Sequence, residues 1–135
     1  MHEKIIGASL PSSQALAYLG DARHSLYVRH MLVKRGISKS GELNRQSLKY
    51  VTAQAQAAMY RRIEGMLMDD EREVFRRASN SSHLNRPKHA SVTDYRYATG
   101  FEAVIGMLTW IKDEKRIEEL LSEAHKEDIT DDTEN

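Results

Sequence analysis

Two prolines, Pro11 and Pro87, are the only ones in a chain of 135 residues. Proline breaks helices by removing a donor and crowding the preceding turn. Its absence from the long interval between those positions leaves that interval open to helix. The interval is rich in Ala, Leu, Glu, Lys and Arg, and no long apolar–polar alternation marks a strand. An all-α fold is predicted. The length supports one domain with a real core rather than two. Cysteine is absent, which excludes a disulfide framework and thiolate chemistry. The opening MHEKIIGASLPSS has no long apolar core, and no run approaches the roughly 18 apolar residues of a membrane span. A cytoplasmic protein with no membrane partner is expected.

The net charge of zero hides an asymmetry. From Asp113 to the end there are ten acids and three bases, so the preceding 112 residues hold 17 bases and ten acids. A basic body carries an acidic tail. Residues 1–125 are read as the domain, and 126–135 as an acidic, disordered tail.

Helix signals follow the chain. Ser12 or Ser13 can cap a first helix that ends near Gly36, with Leu16, Leu19, Leu26 and Val33 as its core stripe. A second helix starts between Ser40 and Asn44 and runs through SLKYVTAQAQAAMYRRIEGML. Its stripe is Leu48, Val51, Ala55, Met59 and Ile63. A third follows DDEREVFRRA, with Asp70 and Glu73 spaced as a capping box. Residues 79–91 form a polar loop around Pro87. Ser91 and Asp94 then open a late helix whose Tyr97, Phe101, Val104, Ile105 and Leu108 share a face. Met107 and Trp110 fall off that face. KRIEELLSEAHK forms the last helix.

Two acids sit oddly in this pattern. Asp21, in ALAYLGDARHSLYVRHML, lies on a wheel opposite Leu19 and Leu26, with Gln14, Ala17, His24 and Val28. Glu102, in ATGFEAVIG, lies at the edge of the late apolar face, in line with Thr99, Gly106 and Thr109. Packing the two helices together would bring two carboxylates close. Close like charges raise each other's proton affinity unless a cation intervenes. Mg²⁺ or Mn²⁺ is the hard divalent ion suited to oxygen ligands. From pattern alone, an acid paired with Arg23 or Arg29 remains the plainer alternative.

The blocks ALAYLGDARHSLYVRHML, YVTAQAQA, RPK and YRYATGFEAVIGML, in this order and spacing, resemble the ribonuclease III catalytic domain. The whole chain is most similar to the mini-ribonuclease III branch, which lacks a separate double-stranded-RNA-binding domain. The resemblance implies a homodimeric helical endonuclease fold and Mg²⁺-dependent hydrolysis of double-stranded RNA to 5′-phosphate and 3′-hydroxyl ends. It implies Asp21 and Glu102 as catalytic and metal-binding residues, with Mn²⁺ as a substitute ion. The implied substrate is the 23S ribosomal RNA precursor, with assistance from a ribosomal protein. Gln14, Ala17 and Thr99 stand where larger family members carry acids, a sparseness the mini branch shares. The alternative is a non-catalytic helical RNA-binding protein on the same scaffold.

Arg76, Arg77, Arg86, Lys88 and Arg96 bracket the polar loop with one acid among them, Asp94. Such a patch can contact phosphates without reading bases, and duplex RNA is recognised mainly through shape and backbone. The resemblance makes these five the RNA-binding residues. The six histidines show no metal spacing. His24 is read as a surface or interface residue, and Tyr18 as a packing residue.

Overall fold

The structure, a computed structural model, describes residues 9–81 and 91–128. These residues fold entirely as helices: α1 (Ser13–Lys34), α2 (Ser40–Val51), α3 (Ala53–Ile63), a 3₁₀ turn (Glu64–Met66), α4 (Asp69–Ser81), α5 (Val92–Trp110) and α6 (Glu114–Ala124). The expected all-α class is what these residues adopt.

Helix α5 is the axis of the fold, with α1, α3 and α4 packed around it. Ser91 caps it as its sequence implied, its Oγ accepting from Asp94 N at 3.0 Å. Phe101, Val104, Ile105 and Leu108 are fully buried, as their shared face requires. Met107 is buried too, because α5 has neighbours on several sides and no single apolar face. Among residues 100–108, Glu102 is the one position that keeps solvent access.

Leu16 of the expected stripe is buried, but the rest of the α1 face that enters the core lies opposite the expected one. Leu16, Gly20, His24, Val28, Met31 and Leu32 are buried, whereas Leu26 is 58% and Val33 61% exposed. Helix α1 is apolar on both sides, so a wheel cannot choose between them. The choice is made by how closely α5 can approach. A Cβ on Gly20 would lie 1.7 Å from the Glu102 carbonyl oxygen, and one on Gly106 would lie 1.7 Å from that of Leu16. The two glycines face each other where the helices cross, and their backbones touch there.

The single helix expected after Ser40 is two helices. Thr52 adopts an extended conformation (φ −72°, ψ 159°), and its Oγ1 accepts from Ala55 N at 3.2 Å. Threonine favours such a cap over a helix interior, so α2 ends and α3 begins there. Leu48, assigned to the apolar stripe, is consequently exposed, while Met59 and Ile63 are buried. The start of α4 also differs. Glu71, not Glu73, reaches back, its Oε1 accepting from Met68 N at 2.8 Å. Glu71 is in addition held by Arg116 of α6 through two bonds of 2.8 and 2.9 Å, in a buried ion pair.

Candidate active site

The glycine crossing positions both acids. Gly20 rests on the backbone of Glu102, so the next residue, Asp21, presents its carboxylate beside that of Glu102. Burial, then the hydrogen bond and negative charge of Asp21, push the Glu102 carboxyl up to about 8. Asp21 itself is exposed. The pair opens into a cavity of about 380 Å³ between α1 and α5, lined also by Gln14, Ala17, Tyr18, Tyr95 and Thr99. Tyr18, expected to pack, is 83% exposed at its rim. Neither arginine considered as a partner for Asp21 is needed to explain its position. Arg23 reaches Glu114 of α6 instead, at 3.1 Å.

Two carboxylates held this close are unfavourable without a proton or a cation between them. Their donors are hard oxygens, the type that Mg²⁺ and Mn²⁺ take. This donor set fits a divalent ion. Among the described residues, no group of three or more His, Asp or Glu side chains is arranged to hold a metal. Any further ligands would come from outside those residues, from solvent or from a bound phosphate.

A third side chain belongs to the site. Gln56 of α3 is buried, and its Nε2 donates to Glu102 Oε2 at 3.2 Å. It lies in the YVTAQAQA block, but no local pattern gave it a role, because its partners come from other helices. His24, expected at a surface or an interface, is fully buried behind it. Its ring stands edge-on to Phe101, with centroids 5.3 Å apart.

A model of the ribonuclease III domain matches residues 14–112. The chain is 38% identical to the mini-ribonuclease 3 of Streptococcus pneumoniae, over 87% of this chain and 94% of that one. It is 41% identical to that of Enterococcus faecalis, over 80% and 83%. This chain belongs to the ribonuclease III family. It falls in the mini-ribonuclease III branch and is an endoribonuclease. The fold is similar to a crystal structure of a Fusobacterium nucleatum protein, with a TM-score of 0.74 and 31% identity over 82% of this chain and 89% of that one.

Gln14, Ala17 and Thr99, the positions singled out by the family resemblance, line the same cavity as Asp21 and Glu102. The family resemblance also named five basic residues. Arg76 and Arg77 are exposed on α4, where both bond Glu73, at 2.7–3.0 Å and 2.8 Å. Their bonds hold the Glu73 carboxyl down to about 2. Arg96 has a structural task. It donates to Ser79 O and Asn80 Oδ1 at 3.0 and 2.8 Å, joining α5 to the end of α4. Arg86 and Lys88 lie outside the described residues. No helix among the described residues is long and apolar enough to cross a membrane.

Proposed function

We propose that this endoribonuclease is Mg²⁺-dependent, cuts double-stranded RNA, and uses Asp21 and Glu102 as its catalytic metal ligands. The observation that carries this is the meeting of the two carboxylates, from separate helices, at one open cavity. Asp21, the exposed member, is the main ligand, and Glu102 is its partner. When bound, the ion would polarise a phosphoryl oxygen, lower the pKa of water and stabilise the leaving oxygen. The chain's own part is to hold the two carboxylates in register through the α1–α5 crossing, and to keep the Glu102 oxygen oriented through Gln56. The family resemblance supports Arg76, Arg77, Arg86, Lys88 and Arg96 as the phosphate-binding residues, and Mn²⁺ can stand in for Mg²⁺. Residues 1–125 are the catalytic domain and 126–135 the acidic tail, whose first three residues, expected to be disordered, are helical and meet the domain through Asp128.

The proposal includes a homodimer. Its support is the outer side of α1, where Tyr18 joins Leu26 and Val33 of the expected stripe and all three are largely exposed. A row of exposed apolar side chains marks an interaction surface. Membership of the mini-ribonuclease III branch supports the 23S ribosomal RNA precursor as the cytoplasmic substrate, with a ribosomal protein assisting. The test is incubation of the purified chain with duplex RNA in Mg²⁺ or EDTA, followed by end mapping. Metal-dependent cuts with 5′-phosphate ends are expected, and Asp21→Asn should abolish them while leaving the fold intact. Undiminished cleavage by that variant would sink the site assignment. A monomer in sedimentation at micromolar concentration would count against the dimer.

A further inference from the structure

We propose that Gln56 is the positioning residue of the Glu102 carboxyl, and that its amide is oriented by His24, His125 and Asp128 behind it. The inference rests on the reading of Glu102 as a metal ligand. Its basis is a continuous line of hydrogen bonds through the interior. Asp128 Oδ2 lies 3.0 Å from His125 Nδ1. His125 Nε2 lies 2.9 Å from His24 Nε2. His24 Nδ1 lies 3.2 Å from Gln56 Nε2, which is also 3.2 Å from Glu102 Oε2.

The direction of this line follows from what each group can donate. An ionised carboxylate only accepts, so Asp128 accepts a hydrogen bond from His125 Nδ1–H. A neutral imidazole with its proton on Nδ1 accepts at Nε2. His24 must therefore donate from its own Nε2 and accept at Nδ1. That requires the Gln56 amide nitrogen, not its oxygen, to face His24. The second proton of the same NH₂ group is then aimed at Glu102. One carboxylate just beyond α6 thus decides which end of an amide the site receives. The reverse orientation would present the amide oxygen to the Glu102 carboxyl and withdraw the donor.

Neutral rings are what the surroundings favour. Both histidines are fully buried. Tyr27 and Tyr50 flank His125, with ring centroids at 5.0 and 5.8 Å. Burial, then the neighbouring His125, push His24 down to about 3. Burial also lowers His125. Arg62 and Arg35 add to that effect and Asp128 opposes it. Arg35 donates to Asp128 O at 3.2 Å and to Tyr50 Oη at 2.9 Å, which ties down the outer end of the line. Arg62 does the same for the end of α6 by donating to Ala124 O at 2.6 Å.

The test reads proton positions first. Long-range ¹H–¹⁵N correlation on the full, metal-free chain at pH 7 should find the His24 proton on Nε2 and the His125 proton on Nδ1. The opposite tautomer at either ring, or a doubly protonated ring, overturns the line. Asp128→Ala, at a partly exposed side chain, should fold and mix the tautomers of both rings. Unchanged tautomers would remove Asp128 from its directing role. Gln56→Met should weaken Mg²⁺ binding by about ten- to a hundredfold in calorimetry, the usual effect of losing a partner behind a metal ligand. Native affinity in that variant overturns the positioning role. If the unmodified chain binds no Mg²⁺, the metal reading fails and the positioning role with it, while the tautomers still decide the hydrogen-bonded line.

Discussion

Replacing Gly20 by alanine tests the contact on which the site depends. The added Cβ would sit 1.7 Å from the Glu102 carbonyl oxygen, 2.6 Å from its carbonyl carbon and 2.8 Å from Gly106 N. A carbon touches a carbonyl oxygen at about 3.3 Å, so the crossing must open by about 1.6 Å. All three atoms are backbone, and none can rotate away. Overpacking costs about 1–3 kcal/mol, and the upper end applies here. Alanine returns about 1 kcal/mol through helix preference. The net loss is about 2 kcal/mol, or about 8 °C in Tm for a chain of this size. The assay is thermal unfolding followed by circular dichroism. Gly41→Ala is the control, because a Cβ there meets nothing within 4 Å. It should be neutral or up to about 1 kcal/mol more stable. A Gly20→Ala protein that melts at or above the native temperature would refute the close crossing. The same variant should lose cleavage activity, since it moves the backbone that carries Glu102.

The raised Glu102 pKa sets a pH dependence in metal-free protein. The folded chain keeps this proton up to about pH 8, whereas an ordinary glutamate releases it near 4.5, so stability should fall as pH rises between those values. Denaturant titrations in EDTA at pH 5 and pH 8 should show that fall in the native chain and a flatter response in Glu102→Gln. Equal slopes would contradict the carboxylate pair. Replacing Arg77 and Lys88 together by Ala should weaken RNA binding and reduce its log–log salt slope by about 2. An unchanged slope would mean that neither touches phosphate. Arg116→Met should destabilise the fold by about 3–5 kcal/mol in chemical denaturation, because it strands the buried Glu71 carboxylate. A loss under 1 kcal/mol would show that Glu71 finds water or another partner.

Local signals carried much of the helix plan. Ser12 and Ser91 cap the helices they precede, because capping needs a side chain and an amide only three residues apart. Thr52 shows the limit of periodicity. The apolar spacing continues across it, yet its own backbone turns away and caps the next helix. Glu71 and Glu73 show a second limit. Both acids could reach back to the start of α4, and it was Arg116, from another helix, that completed the setting for Glu71.

Asp21 and Glu102 stood out in the sequence because each carries charge where apolar residues and glycine surround it. Their residue types and the helices that hold them were readable one segment at a time. Gln56, His24 and His125 were not, since the contacts that link them to one another and to Glu102 span 32 to 101 residues of chain. The orientation of α1 was likewise beyond a wheel, because both its faces are apolar. The sequence by itself determined an all-helical chain and two acids of unusual placement, since these follow from composition and short-range spacing. Only the tertiary structure decided which face of α1 is buried. That decision belongs to Gly20 and Gly106 together: two residues without side chains become informative only when their helices meet.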